Sequence, residues 1–188
     1  MRGRDIFKLL KWIVFLFVVL LNIFPRFFKI GLYEVCSIIP TRFGVFLRYI
    51  VLKSLLPSMG DNVYVARHVV IKNYDKLSLG NNVSLHEFCY VDAFGEISIG
   101  DDVSIAHRSS IISFDHGYTD NNTPIKYNPL CPGKITISKD VWIGAGVTIL
   151  KNVCINERVI VAAGAVVLND LVSNHIYGGV PARKLKEI

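Results

Sequence analysis

From Met59 onward the apolar residues recur at a fixed step of six. They run Met59, Val65, Ile71, then Leu79, Leu85, Val91, then Ile99, Ile105, Ile111, and after a gap Ile137, Ile143, Ile149, Ile155, Val161 and Val167. Between the first three groups the step is eight. A small or apolar residue follows four places after most of these positions, as at Val63, Val69, Val83, Cys89, Val103, Ser109, Val141, Val147, Val153, Val159, Ala165 and Leu171. An α-helix cannot produce this, because its apolar face recurs every 3.6 residues. A β-sandwich would show irregular strand spacing with alternation of period two. Period six with two inward positions instead fits very short strands joined by tight turns. Three such units close one triangular coil of about 18 residues, and stacked coils bury a continuous apolar stripe. The eight-residue steps read as two-residue bulges at a corner. Gly80-Asn81-Asn82 and Gly100-Asp101-Asp102 supply turn conformations. The pattern predicts an all-β solenoid, a parallel β-helix of about five coils over residues 58–172, with residues 173–188 as a C-terminal turn and tail.

One interruption breaks the series. Ile111 and Ile137 are 26 residues apart, and the segment between them, SFDHGYTDNNTPIKYNPLCPGK, is rich in Asp, Asn, Pro and Gly. A long polar excursion from a compact repeat is usually functional. Loop 113–134 carries His116 beside Asp115, with Tyr118 and Asp120 beyond. An imidazole titrating near neutrality suits a general base that activates a hydroxyl.

Residues 1–57 are different in kind. Residues 12–24, WIVFLFVVLLNIF, carry no charge, and up to Gly60 there are nine basic residues against two acidic ones. The remainder holds 12 basic and 13 acidic residues, so the formal +6 belongs to the N-terminal third. Basic residues alternating with apolar runs suit an anionic membrane surface better than nucleic acid. No small-residue cleavage site follows Phe24, and the longer stretch from Ile6 to Phe24, 19 residues, includes Lys8 and Lys11, which leaves only 13 free of charge. The expectation is a monotopic helical segment that stops near Pro25, with a second amphipathic piece at Thr41–Leu56 lying on the surface; one short span is the alternative. Cys36, Cys89, Cys131 and Cys154 have no CxxC spacing, which fits reduced, individually placed thiols.

The repeat, the S-F-D-H loop, the following I-x-I-x-x-D-V-W-I-G-A and the terminal G-G-V-P-A-R together resemble the hexapeptide-repeat acyltransferases. Within them the chain resembles the branch that O-acetylates sugars of bacterial surface polysaccharides, with maltose and galactoside acetyltransferases more distant. The likeness covers about residues 55–186. It implies a left-handed coil, a homotrimer, and acetyl-CoA as acyl donor in the groove between two subunits, with no metal. It also implies that His116 is the catalytic base, that Trp142 lines the acyl end, and that the Ala145 N–H binds the oxyanion. Gly144, Ala163 and Gly164 match small positions beside the pantetheine arm, Arg183 and Lys184 match cations near the nucleotide phosphates, and Asp92, Asp115 and His86 fall among the sugar-binding groups. Leu168-Asn169 stand where many relatives carry Thr-Lys. The implied setting is the cytoplasmic face of the bacterial inner membrane, with a polysaccharide or lipid-linked oligosaccharide as acceptor and no nucleic-acid partner. The rivals are a serine- or xenobiotic-type acetyltransferase, a γ-carbonic-anhydrase-like metalloenzyme built on His68, His86, His107, His116 or His175, and a non-catalytic trimeric module.

Overall fold

A computed structural model describes residues 3–188, with side chains from Lys11 onward. Arg2 lies outside the described residues, and Arg4 and Lys8 lie outside the described side chains. Three helices, α1 (Gly3–Leu21), α2 (Arg26–Ser37) and α3 (Thr41–Leu55), precede a β-solenoid. Proline sets their limits. Pro25 and Pro40 stand immediately before α2 and α3, and Pro57 follows α3.

The solenoid has three parallel faces. The first stacks the strands Ser58–Met59, Leu77–Leu79, Ile97–Ile99, Ile135–Ile137 and Cys154–Ile155. The second stacks Tyr64–Val65, Ser84–Leu85, Ser104–Ile105, Trp142–Ile143, Val159–Val161 and His175–Gly178, and the third Val70–Lys72, Tyr90–Asp92, Ser110–Ile112, Thr148–Ile149 and Val166–Val167. Every residue of the hexad series points inward and is buried, as are the small or apolar residues four places on, from Val63 to Leu171. Register is direct: Leu85 pairs with Ile105, which pairs with Ile143.

The corners carry the fold's local cost. Most carry a residue with positive φ, and the chain supplies these in vertical ladders. Asn62, Asn82, Asp102, Asp140, Arg158 and Asn174 form the ladder between the first and second faces. His68, Phe88, Arg108, Gly146 and Gly164 form the one between the second and third. Asn and Asp tolerate this conformation because their short side chains bond locally. Here they bond vertically, Asn62 Nδ2 donating to Asn82 Oδ1 and Asn82 Nδ2 to Asp102 Oδ1, each at 2.9 Å.

Two expectations need correction. Leu171 bridges to Ile155, and His175–Gly178 pairs with Val159–Val161, so the solenoid makes about six turns and reaches past residue 172. Arg183–Glu187 then folds back antiparallel on that last strand. The second correction concerns α3. It does not lie on the surface: Arg48, Tyr49, Ile50, Val51, Leu52 and Leu55 are all buried. Its hydrophobic side closes the bottom of the solenoid, against the first-coil strands Ser58–Met59 and Tyr64–Val65.

Much of the N-terminal positive charge also serves this joint. Arg48, 1% exposed, donates to the carbonyls of Val65, Cys36 and Ile39, each at 2.8 Å. Lys11 pairs with Asp61 and Arg26 with Asp75, both at 2.9 Å. Lys29 donates to Ser54 O, Lys53 to Met59 O, and the Tyr33 hydroxyl to Val69 O. Val14, Val18 and Leu21 of α1 face the core, at helical spacing. Its other side is bare, with Trp12 83% exposed and Phe15, Leu16 and Leu20 exposed beside it. Among the described residues no helix is long and apolar enough to cross a membrane.

Candidate active site

The eight-residue steps and the long interruption share one place. The extra residues after Ile71 and Val91 lie at the corner between the third and first faces, where Tyr74–Lys76 forms a short 3-10 turn and Glu96 has φ +79°. The long excursion leaves from the same corner one coil higher, after Ile112, and returns at Ile135. Its base is an antiparallel hairpin, Phe114–His116 against Leu130–Pro132, with His116 opposite Leu130 and Asp115 opposite Cys131. Close approach dictates glycine here. A Cβ at Gly95 would collide with the Ser113 carbonyl and Gly133 N, and one at Gly133 with the Asn152 side chain. The tip holds itself. Asn128, buried, donates to Thr123 O at 2.9 Å. Asp120 accepts from the Thr123 hydroxyl and the Asn122 N–H, which holds its carboxyl below the usual aspartate value.

His116 is exposed at the foot of this hairpin. Its ring lies 6.5 Å from Phe114, edge to face, and Phe114 lies 5.5 Å from Phe94. Lys76 sits over Phe94. Asp92 is buried at the same corner, and three donors already use its carboxylate: Asn73 Nδ2 (2.7 Å), the Tyr90 hydroxyl (3.1 Å) and Phe94 N (3.2 Å). Burial, then the bond to Asp92 and its charge, raises the Tyr90 hydroxyl above the usual tyrosine value. Asp115 is turned to Lys151, at 3.2 Å.

The remaining candidates gather elsewhere. Trp142, 55% exposed, stands on the second face, and Gly144, Ala145, Ala163 and Gly164 make the corner between the second and third faces. Gly144 N donates to Val161 O and Gly146 N to His107 O, while the Ala145 N–H has no partner among the described residues. A Cβ at Gly144 would strike the backbone of Ala163, whereas Gly146 and Gly164 face open space. The result is a bare backbone ledge. His86 lies at the same corner lower down, tilted 5.6 Å from Tyr64, and His68 stacks on Phe88 at 5.1 Å. Arg183 and Lys184 are exposed on the final antiparallel strand.

Within one chain, then, His116 and the Ala145 ledge occupy different corners. A whole face separates them, on the order of 10–15 Å at about 3.3 Å per residue. The hexad spacing pointed to neither Tyr90, Asn73, Phe94 and Phe114 nor Lys151. The first four occupy outward or corner positions of the coils, and Lys151 sits one coil above the loop it touches.

Comparison with known proteins agrees with this architecture. The family described as bacterial transferase hexapeptide (six repeats) matches residues 134–169. A hexapeptide-repeat containing acetyltransferase of Vibrio cholerae, solved with acetyl coenzyme A, is 25% identical over 86% of this chain and 86% of its own, with a TM-score of 0.76. A variant of AntD, an N-acyltransferase from Bacillus cereus solved with dTDP and coenzyme A, is 30% identical over 72% of this chain and 87% of its own, with a TM-score of 0.57. Among sequences, galactoside O-acetyltransferase of Escherichia coli is 41% identical over 54 residues, which is 29% of this chain and 27% of that one. WbbJ of the same organism, whose name assigns it to lipopolysaccharide biosynthesis as an O-acetyl transferase, is 29% identical over 90 residues, 44% of this chain and 46% of that one. The aligned stretches thus span less than half the length of these two curated relatives.

Proposed function

The chain belongs to the hexapeptide-repeat transferase family, and from that premise we propose that it moves an acetyl group from acetyl-CoA to a sugar hydroxyl, with His116 as general base. The observation that carries this reading is the hairpin. The solenoid's single long excursion puts an imidazole without a hydrogen-bond partner among the described residues at a corner lined by Phe114, Phe94 and buried Asp92.

The donor fits the other corner. The Gly144–Gly146 and Ala163–Gly164 ledge has no side chain larger than a methyl group, exposed Trp142 stands beside it, and the Ala145 N–H is free to donate. The Vibrio relative holds acetyl coenzyme A. Because His116 and Ala145 lie at different corners of one chain, a complete site needs the hairpin of one copy beside the ledge of the next. That requirement supports a homotrimer of parallel solenoids.

The chemistry is then a direct transfer. His116 takes the proton of the attacking hydroxyl as the sugar oxygen bonds to the thioester carbonyl carbon. The carbonyl oxygen becomes an oxyanion and accepts from the Ala145 N–H, a donor worth about 3 kcal/mol in comparable sites. The C–S bond breaks, the thiolate leaves, and the imidazolium returns the proton to it.

The acceptor class is a surface polysaccharide or its lipid-linked precursor, with the enzyme at the cytoplasmic face of the membrane. WbbJ supports the first half, and the bare apolar side of α1 the second. The test uses the purified chain, acetyl-CoA and an aryl galactoside, with thiol release and acetyl-sugar mass as readouts. His116→Ala lowers turnover by about 10²–10⁴-fold without changing the circular dichroism. Full activity in that variant overturns the mechanism.

A further inference from the structure

The hairpin that carries His116 is long, polar and attached to the solenoid only at its base, yet a general base has to be placed to within a fraction of an ångström. The main chain ties its base to the coil, Ser113 N donating to Asp92 O at 3.1 Å and Ile135 N to Glu96 O at 3.0 Å. Gly133 N donates to Ser113 O at 2.9 Å, and inside the hairpin Gly117 N donates to Pro129 O at 2.8 Å. One side chain from outside grips both strands.

We infer that Lys151, on the turn one coil above, is a positioning residue that clamps the hairpin and thereby sets His116; the link to catalysis rests on the general-base reading proposed above. Its ammonium lies 3.2 Å from Asp115 Oδ2 on the outgoing strand and 3.3 Å from Cys131 O on the returning strand. Asp115 and Cys131 are the paired residues of the hairpin register, and His116 is the next residue along. A single cation therefore bridges a cross-strand pair at the step before the base. Lys151 is shielded, its side chain 22% exposed, so its pairing is less screened than an ordinary surface ion pair. The seat beneath it is tight as well. Gly133 packs against the Lys151–Asn152 turn so closely that a Cβ there would meet Lys151 Cβ at 3.0 Å.

The other charges at this corner are otherwise engaged. Lys134 pairs with Glu96, and Lys76 lies over Phe94. On this assignment Asp115 acts through Lys151 and not on the sugar. Lys151 touches neither reacting atoms nor donor, so its removal shows in kcat and in hairpin order.

The experiment compares Lys151→Met, Lys151→Arg, Asp115→Asn and His116→Ala in the full chain. Two measurements are made: acetyl-CoA and aryl-galactoside kinetics, and amide hydrogen exchange. In Lys151→Met, exchange at Gly117 rises about tenfold or more while solenoid amides such as Ser110 stay unchanged. Its kcat falls about 10- to 100-fold with both KM values within about threefold of the parent. Lys151→Arg restores kcat to within about threefold, because guanidinium can span the same two oxygens. Asp115→Asn, which removes one of the two contacts and nothing from the core, lies between. Hairpin exchange unchanged in Lys151→Met overturns the clamp. So does faster exchange with unaltered kcat. A rise confined to KM for acetyl-CoA assigns Lys151 to the donor and overturns it too. His116→Ala leaves exchange untouched, so an active His116→Ala enzyme refutes the general base while the exchange result still decides the clamp.

Discussion

Replacing Arg48 by Met should cost more stability than any surface arginine in this chain. The guanidinium is sealed between α2, α3 and the first coil, and it donates to three carbonyls, those of Val65, Cys36 and Ile39. Burial holds its pKa below the usual arginine value. No carboxylate pairs with it among the described residues; the carbonyl oxygens alone balance its charge. Hydrogen bonds from a charged donor contribute about 1.5–3 kcal/mol each, so three amount to roughly 5–9 kcal/mol gross. Against this stands the desolvation of a charge, several kcal/mol, which methionine escapes. The difference is about 2–4 kcal/mol. At an m value near 2 kcal/mol/M, that shifts the urea midpoint down by about 1–2 M. Arg42→Met, at an exposed site on the same helix, should move it by less than about 0.5 kcal/mol. Gly44→Ala supplies an independent approach to the same joint. Glycine to alanine inside a helix normally stabilises by about 0.5–1 kcal/mol. At Gly44 the new methyl would strike Ile39 O and lie 2.9 Å from Arg48 Nη1, so here the sign reverses. Loss of under about 1 kcal/mol in Arg48→Met, or a stabilised Gly44→Ala, refutes the three-carbonyl account.

Two further outcomes follow from the same region. Burial pushes the hydroxyls of Tyr33, Tyr49 and Tyr74 well above the usual tyrosine value. Their native pKa exceeds the unfolded one, so their contribution is complete below about pH 10 and is lost as pH rises beyond it, at about 1.4 kcal/mol per unit for each group. Urea midpoints measured from pH 8 to 11 should fall only above about 10, and a flat profile excludes the idea. For the membrane reading, Trp12 and Phe27 are exposed apolar anchors, at 83% and 77%. Flotation with vesicles containing phosphatidylglycerol should recover the parent chain. The Trp12→Ser, Phe27→Ser double variant should bind at least about tenfold more weakly. Equal flotation of both, or of neither, ends that reading.

The hexad series was sufficient to place the core, because an inward residue in a solenoid is also a residue at a fixed sequence offset. Met59, Val65 and Ile71 repeat what Ile137, Ile143 and Ile149 do, and all six are buried. His116 stands out as a candidate for a related reason, as the one histidine in the single long break of a regular pattern. The helices were harder. Thr41–Leu56 is basic and apolar, and a membrane surface and a solenoid end wall ask for the same composition; only the pairing of Arg48 with three carbonyls tells them apart. The site's other residues depend on the third dimension. Asp92, Phe94 and Phe114 converge because of vertical stacking, and Lys151 reaches Asp115 across 36 positions in sequence. Spacing along a chain does not encode which corner a residue turns.

The joint between α3 and the first coil bears on how long this molecule is. A parallel solenoid has no intrinsic end, because each coil offers the next a full set of backbone donors and acceptors together with an apolar floor. Nothing in the repeat itself says stop. Here Arg48, Tyr33 and Lys53 spend the lower carbonyls of Val65, Val69 and Met59, and the strand Arg183–Glu187 crosses the top antiparallel to the stack. The two caps turn an open-ended lattice into a counted object, and so guard against end-to-end growth into fibres.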